Sequence, residues 1–292
     1  MAATINAAFI SQFSDNIHTL VRERGSKLRA IFPTEDQSGE KHFFDRIDKL
    51  QVSEVTTRKD TTSLQDPAHT RRMATLKRYA AHTYLDDLDK IKLLVDPTSE
   101  YARALADAHG DNYDVTLYNQ LLGTAATGAD GSGTQAFDTS NQQIAHGSAG
   151  LTVAKVHQAL RILEANEIDI DREELFMTVG ALGVEDLLTD STNGVQISSF
   201  DYQNSKTMAT GTLPNFRGIN IVRTQRVPDE TADTTYRAIL FTRDAMKVAV
   251  KGMLEVKTAE RADLNYLSQI SAYMNFGGVR MEEKKVVDVL YQ

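Results

Sequence analysis

The sequence predicts a mixed α+β chain, and three stretches carry that prediction. One is a long helix over residues 96–123, punctuated at both ends. The second is a strand-rich region over residues 41–84 with a polar middle. The third is an order of helix, strand, helix, loop, strand, strand from residue 152 onward, which suits helices packed on a mixed sheet.

Composition bounds the rest. At 292 residues the chain can bury a real core, as one large domain or two interleaved ones. It has five prolines and no long apolar run, which describes a soluble fold with no membrane contact. With 32 Lys+Arg against 40 Asp+Glu the formal charge is -8, so direct readout of DNA by a global cationic surface is excluded. The absence of cysteine removes disulfides, thiolate metal sites and a cysteine nucleophile together, and fits synthesis in a reducing cytoplasm.

Taken from the start, residues 1–8 carry no positive charge, and Asp15 and Glu23 interrupt any targeting-type segment. Phe9, Phe13, Ile17, Leu20 and Leu28 recur at helical spacing, which predicts an amphipathic helix ending near Gly25. Such a terminal helix docks on its own domain or reaches a neighbour. Residues 33–40 read as a polar linker.

Residues 42–55 and 73–84 are rich in aromatic and branched residues, and residues 56–70 between them are almost wholly polar, so the region reads as a long hairpin with a loose tip. Residues 41–78 hold nine basic and five acidic side chains, a net of +4 in an acidic protein. Residues 86–114 hold three basic and eight acidic ones, a net of -5. Two solvated faces explain such runs as readily as a contact does.

The long helix starts at Asp96, a good N-cap, with Pro97 in the first helical position and Glu100 at the positive end of the dipole. Gly123 is read as its left-handed stop. Tyr101, Leu105, Ala108, Val115, Tyr118 and Leu122 fall on one face, with Ala102, Ala106, Tyr113, Leu117 and Leu121 beside them. Unbroken, it is roughly 39 Å long at about 1.5 Å per residue. Gly110 costs its middle roughly 1 kcal/mol, so something must pack there.

Residues 128–150 are rich in Gly, Ala, Ser and Thr, lack a phosphate-loop ending, and read as a flexible connection. Thr152 caps a helix that places Val153, Val156, Leu160 and Leu163 on one face. Residues 175–179 read as a buried strand and 184–188 as a short helix. Residues 193–214 read as a protruding loop, and 219–223 and 236–242 as strands. Residues 246–250 and 253–257 also read as strands.

Little chemistry is encoded. None of the seven histidines pairs with another at i, i+3 or i+4, so no helical zinc motif exists. The acids Asp86, Asp87 and Asp89, and Asp169, Asp171, Glu173 and Glu174, are of the types used in acid/base or magnesium chemistry, but no partner motif accompanies them. No nucleophile elbow, dinucleotide fingerprint or calcium loop occurs. The sequence implies no enzyme, cofactor or metal.

The C-terminal third is more telling. Residues 270–290, Ile-Ser-Ala-Tyr-Met-Asn-Phe-Gly-Gly-Val-Arg-Met-Glu-Glu-Lys-Lys-Val-Val-Asp-Val-Leu, form a long mixed strand in which Gly277 and Gly278 mark a bulge or a close backbone approach. This ending resembles the C-termini of tailed-phage major capsid proteins. The order of arm, hairpin from Lys41, capped long helix and mixed central region is similar to the Hong Kong 97-type capsid fold. The resemblance covers nearly the whole chain through loose patterns.

It implies a structural subunit, without catalysis, that builds the pentamers and hexamers of an icosahedral head around double-stranded DNA. It implies an N-terminal arm at 1–40, an extended β-hairpin loop at 41–84 and a peripheral domain with the spine helix at 85–150. A mixed axial domain at 151–249 and a return to the peripheral domain at 250–292 complete it. The short N-terminal region implies a separate scaffolding protein, and a portal is implied with it. The location is the virion, after synthesis in the host bacterial cytoplasm. Some relatives crosslink a loop lysine to a neighbour's asparagine; Lys59 lies near the hairpin tip, but no motif identifies its partner. An encapsulin-like compartment shares the fold, and a metal-dependent enzyme built on residues 169–174 is the remote alternative.

The two opposite charge runs give the candidate contacts. Arg58, Lys59, Arg71 and Arg72 of one hairpin are expected to face Asp86, Asp87, Asp107, Asp111 and Asp114 of the next subunit.

Overall fold

The computed structural model describes residues 23, 25–50, 52, 54, 66–85, 98–189, 215–231, 234–264 and 266–292. The predicted N-terminal helix, hairpin tip and loop at 193–214 lie outside them, apart from residues 23, 25–28 and 66–70. Among the described residues there are fourteen strands and four α-helices.

β1 (Thr34–Asp36) is followed by β2 (Lys41–Ile47), β3 (His69–Thr75) and β4 (Lys77–Leu85). Helix α1 (Thr98–Leu122) leads into β5 (Ala125–Thr127), β6 (Gly133–Gln135), α2 (Thr139–Gln142) and β7 (Gln143–Ile144). Then come α3 (Val153–Ala165), β8 (Leu175–Val179), α4 (Ala181–Thr189), β9 (Asn215–Phe216), β10 (Ile219–Arg223) and β11 (Tyr236–Thr242). β12 (Met246–Arg261), β13 (Leu267–Arg280) and β14 (Val286–Tyr291) end the chain. They form three sheets, ordered β1-β12-β13-β4, β7-β14-β11-β8-β10-β9 and β2-β3-β5-β6.

The hairpin differs from its sequence reading. β2 pairs only with β3, from Lys41↔Thr75 to Ile47↔His69, whereas β4 leaves at Leu76 and pairs with β13 in another sheet. The cause is the diglycine in β13. A Cβ on Gly277 would lie 2.8 Å from the Thr75 carbonyl carbon and closer still to its oxygen, so only glycine lets the turn between β3 and β4 cross the sheet there. Gly278 likewise clears Leu117 of α1 and Met246, and its N–H donates to Gln120 Oε1 at 2.8 Å. The close approach falls at the diglycine, while the bulge lies in β12 between Lys251 and Glu255, where Gly252 has φ +70°.

The six-stranded sheet is covered on both faces, and β11 shows how. Ala238 and Leu240 pack with α3 and α4, while Ile239 and Phe241 pack with α1, Met246 and Phe276. Alternation along one strand therefore serves two cores. Thr152 caps α3 by accepting from Lys155 N, as its position implies.

The long helix buries Tyr113, Leu117, Tyr118 and Leu121, while Val115 points outward, so the packed face is rotated away from part of the expected stripe. Gly110 is crossed as required: a Cβ there would lie 2.9 Å from Gly25 C and 3.1 Å from Ser26 N. Gly123 ends the helix for a different reason than a left-handed turn. Its φ is not positive, and a Cβ would sit 2.6 Å from Asn119 O. Residues 128–150, read as a loose connection, instead carry β6, α2 and β7, with Gln142 and Ile144 buried.

Candidate inter-subunit surfaces

The described part of the hairpin projects apolar and charged groups together. Ile47 is 62% exposed, Leu50 63% and Val52 100%. Arg71 Nε donates to Asp45 Oδ1 at 2.5 Å across the strand pair, and both remain largely exposed. At the far end of the β12–β13 pair, Tyr84, Val256, Leu264 and Tyr266 are also exposed.

Two of the charged residues expected at a neighbour, Arg72 and Asp114, are instead held inside the subunit. Arg72, expected at the neighbour, is buried: Nη2 donates to both Glu283 oxygens at 3.0 and 3.2 Å, and Nε to Met281 O at 3.3 Å. It sits on the inward face of β3, opposite Phe44, and its charge is met within the subunit. Asp114, expected on an acidic strip, is fully buried. It accepts from Ser26 Oγ at 2.5 Å, Lys27 N at 2.9 Å, Leu28 N at 3.2 Å and Arg226 Nη1 at 2.5 Å. Asp111 is partly exposed but also pairs with Arg226. Asp107 is half-buried on α1. Arg58, Lys59, Asp86 and Asp87 lie outside the described residues.

Arg226 is the centre of this arrangement and only slightly exposed. Besides the two acids of α1, its Nη1 donates to Gly25 O at 2.6 Å and its Nη2 to Glu23 O at 2.7 Å. The Glu23 carboxylate accepts from Thr224 Oγ1 at 2.8 Å and Gln225 N at 2.9 Å. The chain entering the body is thus tied to α1 and to the segment after β10.

Arg280, fully buried, closes the C-terminal end of α1 by donating to Leu121 O and Gly123 O, each at 2.6 Å, where a cation also complements the helix dipole. Asp288 is buried in β14 among valines, accepting from Gln143 Nε2 at 2.8 Å with Arg237 Nε at 3.7 Å. The sequence does carry a signal for these two: a single charge within an apolar strand must be paired when buried. Arg226 lies in a polar loop, where nothing local distinguishes it.

Burial pushes the Asp288 carboxyl up, and Gln143 and Arg237 pull it back only in part. The folded state then holds this proton more tightly than the unfolded chain, whose carboxyl titrates near ~3.9. The group's contribution is therefore lost as pH rises through the folded value. Asp288→Asn is expected to gain on the wild type as pH rises from about 4 to about 7, read from urea midpoints. A difference that does not change with pH would remove the assignment.

Three of the four acids at 169–174 are engaged in ion pairs: Arg172 with Asp169 at 3.3 Å, Lys285 with Glu173 at 2.8 Å and Arg243 with Glu174 at 3.2 Å. Among the described residues no cluster of three or more His, Cys, Asp or Glu is placed to hold a metal ion, and no helix is long and apolar enough to cross a membrane. His109 is a structural histidine, its Nε2 3.0 Å from Ala272 O.

A spine helix crossed by the chain's entry, a projecting strand pair and two cores sharing one sheet define a capsid subunit of the Hong Kong 97 type. The chain belongs to the phage capsid protein family, whose model matches residues 5–292. It is similar to a solved chain of Mycobacterium phage Che8, at 16% identity and TM-score 0.72 over 96% of this chain and 97% of that one. Cyanophage Pam1 gives 13% identity and TM-score 0.73 over 96% and 95%. A native GTA particle capsid gives 12% and 0.71 over 99% and 97%. No curated protein matches the chain. It is a structural major capsid protein that assembles with other copies into a phage head shell, and thus a component of the virion.

Proposed function

We propose that this chain builds an icosahedral head of pentamers and hexamers, enclosing double-stranded DNA without reading its sequence and without catalysis. The observation that carries the reading is the hairpin: Ile47, Leu50 and Val52 project where one subunit offers them no cover, so a neighbour must supply it. The charge of -8 supports weak attachment to the enclosed genome, since each neutralised phosphate would add salt-dependent affinity and hinder packaging and release.

In this reading β8, β10 and β11, with α3 and α4, belong to the axial domain at 151–249, which β14 joins from the C-terminal segment by pairing with β11. Helix α1 with β12 and β13 belongs to the peripheral domain. Residues 1–40 are the arm and 41–84 the extended loop. A separate scaffolding protein and a portal take part in assembly, which occurs in the host bacterial cytoplasm. Electron micrographs of the purified protein, alone and with its scaffold, are expected to contain capsomers or shells. A compact monomer at every concentration and salt would sink the reading.

The charge contact is retained in a reduced form. Arg58, Lys59 and Arg71 act from the hairpin, and Asp86, Asp87 and Asp107 from the next subunit. Each exposed pair is worth about 0–1 kcal/mol, but repetition around a shell makes the sum effective. Reversing Arg58 and Lys59 to Glu is expected to impair assembly while leaving the subunit's thermal midpoint unchanged. Reversing Asp86 and Asp87 to Lys in the same chain restores part of it. Normal assembly of the Glu variant at low salt, where screening is weakest, would refute the pairing.

A further inference from the structure

Three guanidinium groups, those of Arg46, Arg72 and Arg280, converge beneath the hairpin around the Met281 carbonyl and the Glu283 carboxylate. Arg46 Nη1 and Arg72 Nε both donate to the single carbonyl of Met281, at 3.1 and 3.3 Å. Arg280 Nε lies 3.5 Å from Glu283, the carboxylate that Arg72 also uses. Among the described residues Glu283 is the one enclosed carboxylate in contact with this group. Asp48 reaches Arg46 only at 3.8 Å and is half-exposed. Burial depresses the Arg72 pKa, Glu283 pulls it back up, and Arg46 pushes it down again, as like charges held together must. Cations crowded under partial burial call for a further anion.

Beside them a notch of about 510 Å³ opens along the edge of β3, lined by Arg46, His69, Arg71, Arg72, Gly128 and Gln135. It exists because β5 pairs with β3 only at Arg72 and Met73, leaving residues 69–71 beyond the end of β5. Among the described residues Arg71 donates through Nε to Asp45, and its guanidinium lies 6.0 Å over the Phe43 ring at the mouth of this notch.

We infer that this notch is an anion site, filled in the shell by a carboxylate side chain of a second copy of the chain. The inference rests on the capsid reading above and places the receptor at the base of the hairpin. Each copy carries eight more acidic than basic residues, so a carboxylate is the anion that a neighbouring copy supplies. A planar carboxylate also matches the paired N–H geometry of a guanidinium.

The test uses the full-length, unassembled protein. Citrate is expected to raise its thermal midpoint above that in sodium chloride of equal ionic strength, because an anion held only by the folded state stabilises it. Arg71→Gln, an exposed change, and Arg46→Gln should each lose that shift. In assembly assays hexaglutamate should slow shell formation by the wild type and lose that effect on Arg71→Gln, whose own assembly is slowed by about tenfold. No citrate shift, or equal hexaglutamate inhibition of wild type and variant, overturns the site. Stronger inhibition by a short oligodeoxythymidylate overturns the carboxylate assignment in favour of phosphate. Wild-type protein that forms no shells at all would instead count against the capsid reading.

Discussion

Arg226→Met is expected to destabilise the subunit by roughly 3–5 kcal/mol, the usual cost of leaving a buried charge without its partner. Asp114 would keep its bonds from Ser26, Lys27 and Leu28 but lose the cation that neutralises it in a site closed to water. The backbone carbonyls of Glu23 and Gly25 would lose their donors as well. Residues 23–36 should then exchange amide hydrogens faster than the strands of the six-stranded sheet, because Arg226 ties the Glu23 and Gly25 carbonyls to the acids of α1. Adding Asp114→Asn should recover part of the loss, since an amide still accepts from Lys27 N without a stranded charge. Urea unfolding of the two variants checks this. If Asp114→Asn restores nothing, the buried carboxylate is not the source of the cost.

Gly277→Ala is expected to be of similar severity for a steric reason. A single methyl would enter the Thr75 carbonyl where the chain passes from β3 to β4, while β13 is held on one side by β12 and on the other by β4. Neither side can yield without breaking a ladder, so the cost should lie at or above the 1–3 kcal/mol typical of overpacking. The hairpin's direction should change with it, and assembly should fail before the subunit unfolds completely. Gly39→Ala is the control, since its Cβ would meet the flexible end of Gln37 at 3.1 Å and the Lys41 carbonyl oxygen at an ordinary 3.8 Å. Equal behaviour of the two variants in urea unfolding would remove the argument.

The sequence by itself determined the elements whose cause is local. The body of α1, the N-cap at Thr152 and the strands at Leu175–Val179, Ile219–Arg223 and Tyr236–Thr242 follow from periodicity, capping chemistry and short-range propensity, whereas the left-handed stop read at Gly123 does not form. The family resemblance, carried by the order of parts and the C-terminal run, was legible in the same way. Gly110 announced that something crosses the helix, but not that Gly25 and Ser26 do so.

Tertiary structure alone decided where charges end in space. Arg71 and Arg72 are neighbours in sequence with the same chemistry, yet the alternation of a strand sends one outward to Asp45 and the other inward to Glu283. Asp111 and Asp114 lie on one helix, and both are claimed by Arg226, more than a hundred residues away along the chain. No window of sequence contains that pairing. It exists because the chain folds back across α1 at the one residue that lacks a side chain, and burial then requires every charge enclosed there to find a partner.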